Sequence, residues 1–275
     1  MADTAHGPAA DGTTPALPED LQVAAAMAAR SRLERLLAAP TPFAHDDGSA
    51  DPTVTAALNA EGLARHEYLD QLLAALSASR LIVPVAAHSI GEPARLQLGE
   101  TAPAAHEPHT NDAAEDAVDL AVRLADGHLA LPVFTSAAAA AAWRDDVRPV
   151  PVSPQRAAQV ACMSTDQLWV LDPGTRDLRL PRPAVVALAG GEDWIPSWRN
   201  EPVQTEVAAQ LGAVDGVTGV AFAPGESAEL RIFIRVDASA GTPAVAATLE
   251  ACQYVMVNPA WGELIDTVEL CPVPG

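Results

Sequence analysis

Residues 117–175 read AVDLAVRLADGHLALPVFTSAAAAAAWRDDVRPVPVSPQRAAQVACMSTDQLWVLDPGT, and this stretch decides the fold. Apolar residues alternate through Leu120, Val122 and Leu124, then again through Leu129, Leu131 and Val133, on either side of Asp126-Gly127. Asp-Gly suits the positive φ angles of a tight two-residue turn, so the spacing predicts a β-hairpin. Thr135-Ser136 supplies hydroxyls to cap a helix that runs through the alanines to Trp143. VRPVPV is an extended connection, and Ser153-Pro154 is a second cap with proline at the first helical position. LWVLD predicts a short buried strand, closed at Asp172-Pro173-Gly174 by a type II turn. The stretch contains no catalytic motif.

Outward from there, Pro18 to Ala39 has helical periodicity, residues 40–50 form a linker, and Asp51-Pro52 restarts helix. Leu69, Leu72, Leu73 and Leu76 mark an amphipathic helix, broken before it near Gly62. LIVPV (81–85) is a strand whose proline places it at an edge or a strand end. Residues 1–17 and 86–116 lack periodicity and are expected to be disordered. Pro183 opens a short helix that Gly190-Gly191 ends.

Beyond GEDWIPSWRNEP the pattern is helix (203–211), strand (216–222), turn at Pro224-Gly225, strand (230–236), helix (243–254) and strand (264–270). This αββαβ order implies a small sandwich with its helices on one sheet face. The expectation is therefore an α+β chain. Residues 1–50 are a tail, helix and linker; 51–190 an α/β sheet domain with a hairpin and the 86–116 insertion; 191–275 a smaller second domain.

Thirty-six acidic residues face sixteen arginines, giving a formal charge of -20. Such a field repels phosphate backbones and anionic headgroups, so neither nucleic acid nor a membrane surface is an expected partner. There is no lysine at all, which removes Walker-type phosphate loops and Schiff-base chemistry. Cys162, Cys252 and Cys271 are odd in number and far apart, as suits a reducing cytoplasm rather than a disulfide framework. No signal pattern and no apolar run of spanning length stands out, so a soluble cytoplasmic protein is expected.

Several strings taken together resemble the SseB-like family, the "enhanced serine sensitivity" proteins, in an actinobacterial form. They are LLAALSASRLIVPV, the hairpin ending in LALPVFTS with Trp143 downstream, RPVPV, LWVLDPGT and LPRPAVVALAGGEDWIPS. The resemblance spans about residues 51–200; residues 201–275 resemble the family's smaller C-terminal domain by pattern only. It implies a two-domain α/β protein of the bacterial cytoplasm with no established catalytic residues. The family's names carry a serine-sensitivity phenotype and a secretion association, and neither defines a chemistry.

The candidate sites are weighed against plainer roles. His106 and His109 have ligand-like spacing, but Pro108 opposes a helix and no cysteine is near, so a solvated loop is expected and no metal. His45-Asp46-Asp47 reads the same way. Cys162, placed on the buried side of its helix, lacks the basic neighbour that a reactive thiolate needs. Ser153 and Thr135 are explained as caps, Asp172 as a turn acceptor, and Asp145-Asp146 and Glu192-Asp193 as solvated acids. No catalytic residue and no cofactor is assigned. Trp194 and Trp198 stand apart, because two large aromatics in one loop are typical of an interface. They are expected either to pack between the two domains or to meet an outside protein. A non-catalytic, protein-binding role is the first expectation. A small-molecule enzyme built from scattered Asp, Glu and His, or a secretion-related component, are its rivals.

Overall fold

Asp51 accepts hydrogen bonds from the amides of Thr53 and Val54, and Pro52 fills the first helical position, so helix α1 (Pro52–Leu58) starts there. The structure, a computed structural model, describes Leu36 and residues 42–43, 45–86 and 120–275. The tail at 1–17 and His106 and His109 in the 86–116 insertion lie outside the described residues, as does all of the 18–39 helix except Leu36.

Helix α2 (Arg65–Ser77) buries Leu69, Leu72, Leu73 and Leu76 along one face, as their spacing demands. Strand β1 (Leu81–Ala86) follows and pairs antiparallel with β4 (Val147–Val152), so VRPVPV is a strand rather than a mere connection. A sheet of order β2-β3-β5-β6 stands beside them, joined to β1 by a bridge between Ile82 and Phe134. Its strands are β2 (Val122–Arg123), β3 (Leu129–Val133), β5 (Trp169–Leu171) and β6 (Leu178–Leu180).

The expected hairpin forms, but its turn is not the two-residue kind. Arg123 pairs with Leu129, and the Leu124 amide donates to the His128 carbonyl. That leaves a three-residue loop, Ala125-Asp126-Gly127, with Gly127 at φ +88. A loop of this length needs a left-handed residue at its last position, and glycine takes it without strain.

Helix α3 (Ala137–Trp143) is capped by Ser136, whose hydroxyl accepts from Ala139 N at 3.1 Å. Thr135 is not the cap. Its amide and hydroxyl both donate to the Asp172 carboxylate, each at 2.9 Å. The Asp172 side chain is thus a cross-strand acceptor between the ends of β3 and β5, while its carbonyl is the acceptor within the turn. The turn itself closes through Thr175 N to the Asp172 carbonyl, with Gly174 at φ +81. Arg80 finishes this end: its guanidinium donates to the Thr135 carbonyl, the Asp46 carboxylate and the Ser49 carbonyl. Gly48 then accepts from Ala137 N, an approach so close that a Cβ on Gly48 would lie 2.7 Å from the Ala137 Cβ.

Helix α4 (Pro154–Ser164) begins at the Ser153 cap, and α5 (Arg182–Gly190) ends at Gly191 in the left-handed region. These elements enclose a first core around the fully buried Trp169, with Leu72, Leu76, Leu81, Leu131 and Leu171. Cys162 is half-buried on α4, less enclosed than its pattern suggested.

The remaining elements build a second core. Helices α6 (Glu201–Gly212) and α7 (Thr242–Met256) cover one face of a sheet of order β7-β8-β9. Its strands are β7 (Val217–Pro224), β8 (Leu230–Val236) and β9 (Val268–Pro274). Leu230, Ile232, Ile234 and Val236 point inward from β8. β8 pairs antiparallel with β7 but parallel with β9. The last strand starts four residues later than Leu264, because a 3₁₀ turn (Pro259–Glu263) seats Trp261 in the core before it. The whole is a mixed α+β fold.

Candidate functional site

Trp194 packs against the first core and Trp198 against the second. Both are half-buried. Their rings meet edge to face, 5.5 Å between centroids at 90°, an arrangement aromatic quadrupoles favour. Between them Ile195 leaves 59% of its surface exposed. A segment presenting so large an apolar side chain must be held by its neighbours, and the holding groups are polar.

Glu229 is the central one, only 1% exposed. One carboxylate oxygen accepts from the amide and hydroxyl of Ser197, at 3.0 and 2.8 Å. The other accepts from the Asp266 amide at 2.6 Å. Burial pushes the Glu229 carboxyl up, against the pull of these three donors. Ser197 is fully buried and its carbonyl takes a further bond from Gln204. The short 3₁₀ helix at Ser197–Arg199 is thereby pinned from the second core's side.

Three residues of α2 reach across from the first core. Arg65 donates to the Ala228 carbonyl at 3.0 Å, His66 stacks edge-on to Trp198 at 6.0 Å, and Asp70 receives both terminal nitrogens of Arg199. A second strap lies along β6, where Arg179 bridges Asp126 at 2.5 Å and Asp266 at 3.0 Å. Asp266 also accepts from the Arg182 amide.

Sequence reasoning singled out Trp194 and Trp198 but none of Glu229, Asp266, Arg179, Arg199 or Asp70. Their partners are 32 to 129 residues away, and no local pattern marks such pairs. Other candidates disperse. Asp46 meets Arg80, Asp146 meets Arg144, and the Cys162 thiol is pushed up by burial. Glu192 and Asp193 are exposed, next to Trp194. Among the described residues, no group of three His, Cys, Asp or Glu is placed to hold a metal ion. No helix there is long and apolar enough to cross a membrane. A cavity of ≈560 Å³ opens elsewhere, between α7 and the segment 213–216 that follows α6, lined by alanines with Asp215, Asp237 and Thr248.

No curated protein and no solved structure matches the chain. Residues 54–187, from α1 into α5 and so the greater part of the first core, match the family model described as SseB protein N-terminal domain.

Proposed function

We propose that the chain acts by binding another protein at the joint between its two cores, without chemistry of its own. The observation that carries this reading is Ile195, exposed between two tryptophans and fixed in place by the Glu229 and Arg199 contacts. A rigid apolar residue on a preorganised loop is what a binding anchor requires, since little entropy is lost when the partner arrives. Glu192, Asp193 and Glu201 are exposed around it and have no ion-pair partner among the described residues. They suit a partner that presents an apolar side chain within a basic surround. The match of residues 54–187 adds that the scaffold is an SseB-type domain. The three free cysteines support a reducing, cytoplasmic setting.

The rival, a small-molecule enzyme, finds its best place in the alanine-lined cavity, where Asp215 and Asp237 are both exposed. The deciding experiment is an affinity pull-down from the native cell with wild type and Ile195→Asp side by side. A partner enriched by wild type and lost with Ile195→Asp supports the joint. An identical set of captured proteins overturns it.

A further inference from the structure

Strand edges carry unpaired amide and carbonyl groups, and folded proteins blunt them with prolines, charges or brevity. The described sheets follow this practice at four edges. β2 has two residues and β6 three; β4 carries Pro149 and Pro151; β9 carries Pro272 and Pro274. β7 does not. It is eight residues long, VTGVAFAP, without a charged residue, and its proline is the last of the eight. It is an outer strand, bonded to β8 alone. Its one irregularity is a shift between Val217 and Gly219, after which Gly219 to Pro224 pair regularly with β8.

The face of this sheet away from the helices adds a chemical preference. Arg231 and Arg235 both lie there on β8, two residues either side of Phe233. Arg231 is held between Glu226 and Glu269, at 2.9 and 2.8 Å. The exposed Arg235 side chain has no hydrogen-bond or ion-pair partner among the described residues. It runs across β7 where there is no side chain to stop it. A Cβ built on Gly219 would stand 4.0 Å from Arg235 Nη1. The guanidinium therefore reaches over β7 toward its open edge.

We propose that the edge of β7 accepts an extended segment of another protein as a fourth strand, and that Arg235 meets a carboxylate on that segment as it passes Gly219. Backbone pairing would supply the affinity and the carboxylate the register. A second copy of the chain is the poorer occupant. β7 has no acid to offer Arg235, and each copy brings a formal charge of -20. The proposal does not rest on the reading of the joint, and Ile195→Asp and Arg235→Gln test the two independently.

The test uses the full chain and a fluorescein-labelled, end-blocked nonapeptide, Thr-Val-Ser-Val-Glu-Val-Ser-Val-Thr, with a counterpart carrying Gln at the centre. Fluorescence anisotropy at low salt should show the Glu peptide binding about two- to fivefold more tightly, the size expected of an exposed ion pair. Arg235→Gln should erase the difference and leave residual binding to both. Val220→Pro, which removes an amide facing the open edge and none that pairs with β8, should abolish binding while the far-ultraviolet spectrum stays unchanged. A further measurement needs no variant. N-methylation of alternate peptide amides should destroy binding in one register and spare it in the other, since only one edge of the peptide faces β7. No binding of either peptide, equal binding by both, or indifference to the methylation register would each overturn the proposal. So would a sedimenting dimer that Val220→Pro splits, because a second copy would then occupy the edge.

Discussion

Trp194 and Trp198 touch each other at 90° while belonging to different hydrophobic cores. Four residues apart in the chain, they join one core to the other through a direct ring contact. Contacts from α2 and β6 run alongside it.

The first prediction follows from that pair. Replacing both tryptophans by alanine removes the aromatic contact and the part of each ring that lines a core. Truncating a buried tryptophan costs about 3–5 kcal/mol, and half-burial places each of these near the lower end. Calorimetry should show the double variant losing stability and unfolding in two steps in place of one. A single, undisplaced transition would mean that the polar straps alone couple the cores.

The second concerns Glu229. Its carboxyl is raised by burial, so the folded chain holds this proton more firmly than the unfolded chain does. The group's contribution is complete below the ordinary carboxyl pKa and is lost as pH rises through the raised one. Glu229→Gln does not titrate, but its amide turns a donor toward the Asp266 amide. Urea denaturation from pH 4 to 8 should therefore show wild type ahead of the variant, with the gap narrowing as pH rises. A gap that widens with pH would reverse the assignment.

Glu269 has the opposite sign. The amide of Glu226, the Ser227 hydroxyl and the Arg231 guanidinium all favour its ionised form, pulling its pKa down to about 2. Its stabilisation is present above pH 4.5 and is lost as pH falls through about 2. Acid unfolding followed by circular dichroism should be shallower across that window in Glu269→Gln than in wild type. Parallel curves would show that the contacts do not distinguish folded from unfolded chain.

Asp172 allows a graded test. Its carboxylate satisfies a buried amide and hydroxyl of Thr135 from a left-handed backbone position at φ +48. Asp172→Asn keeps one acceptor oxygen and a side chain that tolerates that conformation, and should cost about 1 kcal/mol. Asp172→Ala strands both donors in a strained conformation and should cost about 3 kcal/mol. Chemical denaturation orders the two, and equal losses would count against the cross-strand role.

What could be read from the sequence was local. Asp51-Pro52 and Ser153-Pro154 state their roles within four residues, because a cap and the amides it serves are neighbours along the chain. The leucines of α2 announce a buried face by spacing alone. Thr135 and Ser136 show where this stops: either hydroxyl suits the cap, and the choice is made by Asp172, 37 residues away. The start of β9 was misplaced for a similar reason. Leu264 and Ile265 look like strand, but Trp261 must first turn into the core, and Pro272 and Pro274 are tolerated only because β9 is an edge. The joint was legible as two tryptophans and illegible as a carboxylate, since nothing in SAELRIF marks Glu229 as the group that fixes Ser197.

The parallel pairing of β8 with β9 has a consequence for biosynthesis. The buried residues of the first core, Val54 to Val185, precede the joint, so that core can close while the rest of the chain is still being made. The second cannot. β8 is synthesised before its parallel neighbour β9, and Asp266, which completes the Glu229 site, comes just before β9. A nascent chain paused anywhere between Met256 and Asp266 would hang from the ribosome with one finished core. The apolar residues of β8 would then still lack their last neighbour.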